Sequence, residues 1–456
     1  MLKSKRMWPF VSLILTFGLL TVAGESQAMP NFARKYSADC VMCHTQVPKL
    51  NKIGYEFRLA GYRFPGDIGK DEKPFNLGDM FAARFQEQFN YQKHDDVAAG
   101  KDTTNNQLEF FEATIYPMTG SWGKYFGSIG ELSMAPGDIF EVENAYVRAA
   151  FGDSDGWFQM KIGVMHPWEG FGGSDRPLGN IRPLFQKNSN GAQSGSGKLT
   201  SGSPFYLWNL DESAIEVGYH ISTTGTSLAA RISNGLIWEP EAPNFVDPAQ
   251  GGHLSKGKTD PGHNDKNYQA FVNQFINSSS AVSLYYYHGT MPFANPGEVA
   301  DILGSTSGIP LVDFDRWAAY GNYQVVPKLN LLAGYAWGKD SVNAAAATAL
   351  NTAVTTADPA ITGFNPAKLG KSKGWFAETD FQAMPKLAFG VRYDNFDPSD
   401  ATAAGKNAIT AYTLSANWSV MEGLQIIGDY QHKTTEKGTL GENKDDQFLV
   451  RGIIIF

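Results

Sequence analysis

Three stretches in the C-terminal third of this chain repeat one spacing: Tyr323, Leu329 and Tyr335; Phe381, Leu387 and Tyr393; Trp418, Leu424 and Tyr430. Each set brackets a tight turn, at Val326-Pro327-Lys328, Met384-Pro385-Lys386 and Met421-Glu422-Gly423. Six residues of strand cover about 20 Å, so an aromatic just before the turn and a tyrosine on the next strand sit at two fixed heights. Two aromatic belts framing an apolar band are what a β-barrel presents to a bilayer. Leu329, Leu331, Ala333 and Tyr335, and likewise Leu387, Phe389, Val391 and Tyr393, would form the lipid-facing rows. A half-buried strand of a soluble β-sandwich alternates in the same way, so the sandwich stands as the alternative.

Segments of this kind number about sixteen; fourteen or eighteen are the neighbouring counts. They lie near 79–91, 106–116, 122–134, 139–151, 156–166, 208–220, 225–236, 267–277, 280–290, 313–326, 328–338, 373–383, 386–396, 408–419, 422–434 and 446–456. The long connections, 167–207, 237–266, 291–312 and 339–372, all follow odd-numbered segments. That is the pattern of short periplasmic turns and long extracellular loops. In the first segment Phe81, Ala83, Phe85, Phe89 and Tyr91 share a face, and in the last Phe448, Val450, Gly452, Ile454 and the terminal Phe456 do, with Arg451 opposite. A C-terminal phenylalanine ending such a strand resembles the insertion signal of bacterial outer-membrane barrels. The inward rows carry Arg84, Glu109, Glu112, Glu143, Arg148, Glu378, Asp380, Arg392 and Asp429, as a polar lumen requires. The Ala/Thr-biased stretch 341–360 reads as flexible loop.

After residue 28 no run approaches the roughly 20 apolar residues of a spanning helix. Abundant Gly, Tyr and Phe with charged residues at only 18% and a mean hydropathy of −0.28 suit a barrel, in which only alternate residues meet lipid. Residues 1–28 read as an export signal: basic Lys3, Lys5 and Arg6, an apolar stretch from Pro9 to Ala23, and a small-residue site at Ser26-Gln27-Ala28. An uncleaved anchor is the alternative. The signal carries three basic residues and Glu25, net +2, so a formal charge of −8 becomes −10 for a mature chain beginning near Met29. Acidity of that size points away from a nucleic-acid partner.

The chain's only two cysteines fall in Cys40-Val41-Met42-Cys43-His44. Two thiols at this spacing can each form a thioether to a haem vinyl group while the adjacent imidazole reaches the iron as proximal ligand. A disulfide or redox Cys-x-x-Cys has no need of the histidine, and a zinc site would want two more ligands nearby. Lys49 to Tyr62 follows as a plausible helix, with Leu50, Ile53, Gly54 and Phe57 on one stripe. That stripe would cover a haem face or pack on the barrel wall. Arg34, Arg58 and Arg63 are candidate partners of haem propionates, or solvated surface. The domain reading is therefore signal 1–28, haem c segment 29–77 and barrel 78–456: an all-β, antiparallel transmembrane barrel with a small α-helical N-terminal segment.

The N-terminal block, about 35 residues, resembles the fused monohaem cytochrome c-porins of iron-oxidising and related bacteria: Pro30-Asn31-Phe32-Ala33-Arg34, then the Cys40 to His44 motif, then Pro48-Lys49-Leu50-Asn51 with Gly54, Phe57 and Gly61-Tyr62. The barrel matches that family only in architecture, length and terminal Phe456. The resemblance implies one covalent haem c, carried as a plug in the lumen or its periplasmic mouth of an outer-membrane barrel. It further implies electron transfer from extracellular Fe(II) to a periplasmic cytochrome or other electron carrier, an Fe(II) oxidase activity. Alternatives are outward transfer to an external acceptor, a solute porin with a structural haem plug, and a soluble periplasmic haem protein. His44 is the only histidine before His94, so the distal iron ligand is open; Met80 and Met29 are the candidates, Met80 also being a barrel residue.

Overall fold

The computed structural model describes residues 30–72, 77–96, 100–135, 141–166, 171, 176–187, 212–234, 237–239, 253–255, 266–294, 296–305, 308–361, 370–398, 408–421, 423–436 and 442–456. The expected signal segment lies outside the described residues. Sixteen antiparallel strands close into one barrel: β1 (Ala82–Asp96), β2 (Lys101–Tyr116), β3 (Phe126–Met134), β4 (Glu141–Gly152), β5 (Gly156–Met165), β6 (Glu212–Ile221), β7 (Thr226–Asn234), β8 (Lys266–Phe275), β9 (Ala281–Pro292), β10 (Leu311–Val326), β11 (Leu329–Val342), β12 (Lys371–Met384), β13 (Leu387–Asp397), β14 (Ile409–Met421), β15 (Leu424–Glu436) and β16 (Glu442–Ile455). A three-residue piece, Gly120–Trp122, folds back on β3 at the rim and is not counted as a stave. β16 pairs with β1 from Ile455↔Arg84 to Lys444↔Asp95, which removes the last free edge.

Connections after even-numbered strands are short, at 153–155, 222–225, 276–280, 327–328, 385–386 and 422–423. The long ones leave the opposite end, after β5, β7, β9 and β11. The register explains the repeated spacing. Leu329 faces Phe381 and Leu387 faces Trp418, so the three sets lie at common heights. Tyr323, Phe381 and Trp418 form an exposed outer row near the short turns, and Tyr335, Tyr412 and Tyr430 lie further up the wall. Between them the outward residues are apolar, among them Leu331, Phe389, Val391 and Leu414.

Glu109 and Glu112 are three apart, which strict alternation would put on opposite faces. A bulge resolves this: Gln86 faces Glu112 but Glu87 faces Phe110, so Phe111 is the extra residue. Both glutamates then bond inward-side partners, Glu112 to Arg84 at 2.5 Å and Glu109 to Gln88 at 2.5 Å.

Among the described residues, segments enter the interior from both ends. At the short-turn end sits the N-terminal segment, with α1 (Pro30–Tyr36), α2 (Cys40–Cys43), α3 (Lys52–Leu59) and α4 (Leu77–Met80). Above it the loop after β5 turns inward and hangs its backbone on wall carboxylates: Leu178 N to Glu378 (2.7 Å), Asn180 N to Asp429 (2.7 Å) and Leu184 N to Asp394 (3.2 Å). In the long-loop half, α6 (Pro296–Leu303) and α7 (Ala344–Ala357) close over an apolar core that includes Val299, Phe314, Leu350, Val354, Phe376 and Phe396, and α5 (Leu184–Lys187) joins it through Phe185. Wall charges pair with one another, Arg231, Lys161 and Arg148 around Glu216, and Arg392 between Glu378 and Asp394.

Four expectations change. Residues 341–360 are not a flexible loop: Asn343 caps α7 by accepting from Ala346 N, and alanine-rich sequence favours helix once Ala347, Leu350 and Val354 find a core. The first strand starts at Ala82, because Asp79 and Met80 end α4. The helix expected over 49–62 is only Lys52–Leu59, because Lys49–Leu50 pairs instead with His44–Gln46. The lumen is not polar throughout: in its long-loop half wall residues such as Phe314, Phe376 and Phe396 join an apolar core.

Val391 faces outward in the middle of the apolar belt, 57% exposed. Val391→Arg should lower barrel stability in urea titrations in lipid vesicles by about 2–4 kcal/mol, and Glu436→Arg, at the end of β15, by no more than about 1 kcal/mol.

Candidate functional site

The Cys-x-x-Cys-His run folds as α2 followed by a two-strand turn, and Asn51 locks it to α3. Asn51 Oδ1 accepts from Gly54 N (2.9 Å), its side-chain amide donates to Met42 O (2.9 Å), and its backbone N donates to Cys43 O (2.9 Å). The helix therefore begins against the carbonyl of the second cysteine. Gly54 is required there, since a Cβ at that position would overlap Cys43 O. Phe57 turns away from the motif into an aromatic cluster with Phe32, Tyr36 and Phe64, at centroid distances of 5.2, 5.4 and 5.3 Å.

The segment is fastened to the barrel by buried polar contacts. Lys49, wholly buried, sits between Glu378 (3.5 Å) and Asp380 of β12. His220 of β6 bridges Glu56 (2.9 Å) and Ser227 (2.6 Å), and Ser222 also donates to Glu56 (2.8 Å). Lys52 N reaches Ser278 O in a short turn (2.8 Å), and Arg148 of β4 donates to Arg58 O (2.7 Å). Gly61 and Gly127 bring segment and wall together closely; a Cβ on Gly127 would overlap Gly61 O.

The three arginines offered as propionate partners also donate to backbone carbonyls, while Nε of Arg58 and of Arg63 is buried without a hydrogen-bond partner. Arg34 donates to the carbonyls of Gly78 and Phe81, Arg58 to Phe171 O (2.7 Å), and the fully buried Arg63 to the carbonyls of Trp122, Gly123, Lys124 and Phe126. A guanidinium carries five donors in a fixed fork, and here that fork serves backbone left unpaired where the wall meets the segment.

A cavity of about 430 Å³ lies between the motif and the wall near the short-turn rim. Cys40 and His44 line it from the segment, Leu178 from the inward loop, and Lys386, Asn417 and Met421 from β12 to β14 and their turns. The two thiols are not bridged. Burial pushes the Cys43 thiol up and the His44 imidazole down to about 4, so His44 is neutral at physiological pH and offers a lone pair. His44 Nδ1 is buried beside the backbone of Pro48 and Lys49 without a hydrogen bond of good geometry. Unbridged thiols with a neutral imidazole fit covalent haem attachment. Facing them, Met421 and Lys386 are further groups able to ligate iron. Met80 does not line this cavity; it is buried against Gly120 and its carbonyl accepts from Thr119 N (2.8 Å). Met29 lies outside the described residues. Met421 stands 377 residues beyond His44 in the chain, and the one signal for it was that its turn belongs to the short-turn end.

No family model matches the chain, and no curated protein does. Among solved structures it is similar to an OmpF of Salmonella typhi in complex with daunomycin, at 12% identity and TM-score 0.50 over 84% of this chain and 100% of that one. An anion-selective porin from Comamonas acidovorans (10%, TM-score 0.47, 82% and 99% covered) and the outer membrane channel DcaP of Acinetobacter baumannii (10%, 0.46, 82% and 96%) are further neighbours. The fold is that of a porin-like outer-membrane barrel.

Burial raises the Glu56 carboxyl, but hydrogen bonds from His220 and Ser222 outweigh it and hold the carboxyl below the usual glutamate value. A folded value below the unfolded one means a contribution complete above the unfolded value and lost as pH falls through the folded one. Acidification below the ordinary glutamate range should therefore raise pepsin cleavage within 30–80, and Glu56→Gln should flatten that pH dependence. Lys49→Met should cost about 3–5 kcal/mol of stability to thermal unfolding, because it leaves Glu378 and Asp380 buried and uncompensated.

Proposed function

We propose that this chain is an outer-membrane electron-transfer protein that carries one covalent haem c at the short-turn, periplasmic end of its barrel. The observation that supports it is that Cys40 and His44, the first thiol and the imidazole of one motif, line the same cavity as a thioether, Met421. Cys40 and Cys43 would hold the group by thioether bonds and His44 would ligate its iron. When bound, such a haem supplies a one-electron Fe(III)/Fe(II) couple.

The chain's own residues do the rest. The Asn51 cap and Gly54 fix the motif against α3, and Lys49, Glu56 and Arg58 fix α3 against the wall, so the site keeps one position relative to the rim. Pro385 and Lys386 of the turn after β12, with Ser419 and Met421 at the end of β14, border the cavity, leaving a short approach for a periplasmic cytochrome or other electron carrier. Extracellular Fe(II) is the donor in this reading, as the resemblance to the cytochrome c-porins implies, with the insoluble ferric product left outside. The hydrocarbon core is about 30 Å thick, so one haem at the short-turn rim cannot contact both aqueous faces: Fe(II) outside would reach it only by entering the lumen, whereas Fe(II) or a carrier on the short-turn side would reach it directly.

The porin-like fold itself favours a second reading, a solute-diffusion porin with a haem plug. Electrical recording separates the two. Purified protein in planar bilayers should show no steady ohmic conductance, while its haem absorbance should change to the reduced form on stopped-flow mixing with Fe(II) near neutral pH. Open conductance without reduction would favour the porin. Cys40→Ser/Cys43→Ser should abolish covalent haem on a denaturing gel. Met421→Ala should alter the iron-ligation bands of the oxidised spectrum while haem stays attached, and Met80→Ala should leave them unchanged.

A further inference from the structure

The outer wall of β9 to β13, close to the long loops, carries a concave patch built in rows by the strand register. The uppermost row runs His288, Asp315, Lys339, Lys371 across β9 to β12. One residue pair below, about 7 Å nearer the membrane centre, runs Tyr286, Trp317, Trp337, Lys373 and then Asp397 of β13. Below that come Tyr335 and Trp375, and then Leu331 and Val391 in the apolar belt. Trp317 and Trp337 lie parallel, 5.9 Å apart at 4°, and Tyr286 packs on Trp317 at 4.2 Å. Together with Lys339, Lys371 and Lys373 these rings line a groove of about 580 Å³.

The charge in the groove is uneven. In the groove's own lining the three lysines stand against one carboxylate, Asp315, which accepts from Tyr286 (2.8 Å) and lies 3.1 Å from His288; Asp397 lies beside Lys373 at 4.0 Å. Lys339, Lys371 and the outward Lys373 thus leave an excess of positive charge directly above flat aromatic faces, which stand directly above apolar wall. Reading downward, the wall matches a phosphate, then a sugar ring, then acyl chain.

We propose that this groove binds a phosphorylated glycolipid of the outer leaflet, lipopolysaccharide: its phosphates on Lys339, Lys371 and Lys373, its sugars on Trp317 and Trp337, its chains along the belt below. A second copy of this chain is the less fitting occupant, because burying three lysines against two carboxylates, Asp315 and Asp397, would leave charge uncompensated. The inference rests on the outer-membrane placement and the long-loop end facing outward; it is independent of the haem.

The test uses the full chain extracted in mild detergent from outer membranes of lipopolysaccharide-producing cells. Co-purifying lipopolysaccharide is counted per barrel by native mass spectrometry, and rebinding is measured with intact and with dephosphorylated lipopolysaccharide. A lysine beside an anionic lipid surface gives about a fivefold effect. Lys339→Gln/Lys371→Gln/Lys373→Gln should therefore retain far less lipid, Lys328→Gln at the opposite rim should retain the same amount, and the dephosphorylated form should bind the unaltered chain weakly. Heat-modified gel mobility confirms that each variant is a folded barrel. Equal retention by the triple variant, or equal binding of the dephosphorylated form, overturns the proposal. So does a Trp337→Arg variant that dissociates an oligomer while keeping its lipid. Recovery of the unaltered chain outside the outer-membrane fraction would instead overturn the membrane placement, and this inference with it.

Discussion

The ladder between β16 and β1 is the contact on which the rest depends. Hydrocarbon offers a strand no partner for its N–H and C=O groups, so a sheet can stand in a membrane only when its first and last strands find each other. Here that meeting takes in the chain's last residue: Phe456 exchanges both backbone hydrogen bonds with Ala83, and its ring stacks on Phe85 at 5.8 Å. Once the ladder is closed, every inward side chain is committed to one enclosed volume, and what fills that volume decides what the barrel does.

The filling is of two kinds, divided by height. In the short-turn half it is held by charge and hydrogen bonds: Lys49 between two carboxylates, Glu56 against His220, and wall arginines and segment arginines feeding backbone carbonyls. In the long-loop half it is an aromatic and aliphatic core of the sort found inside soluble domains. Buried ion pairs gain little net stability but penalise misplacement heavily, which suits a segment that must hold one orientation. The apolar half packs Phe314, Phe376 and Phe396 of the wall against Val299, Leu350 and Val354 of the loop helices.

Much of this could be read from the residues in order. The three aromatic–leucine–tyrosine sets announced the hairpins and their common heights, and alternation located sixteen strands within a few residues because each strand states its own two faces. What escaped were relations between distant strands. Nothing near Lys49 names Glu378 and Asp380 as its partners, and nothing near His44 names Met421. The Phe111 bulge was visible only as an inconsistency, two inward glutamates three residues apart. The alanine-rich stretch was misjudged because low complexity conceals a helix that needs a core supplied by other loops. Nothing near Arg34, Arg58 or Arg63 names the backbone carbonyls they meet, which only the assembled wall reveals.

Lys49 also bears on the order in which the molecule can be made. It lies near the start of the chain, and the carboxylates that neutralise it lie on the twelfth of sixteen strands. Synthesis delivers the ammonium long before its partners, so the segment spends its early life hydrated and undocked. Because it sits at the short-turn mouth and its contacts there run to the turns at 222–225 and 276–280, it can be drawn in from that side late, after the wall around it has formed. The barrel is then less a container built around its contents than a socket that receives them.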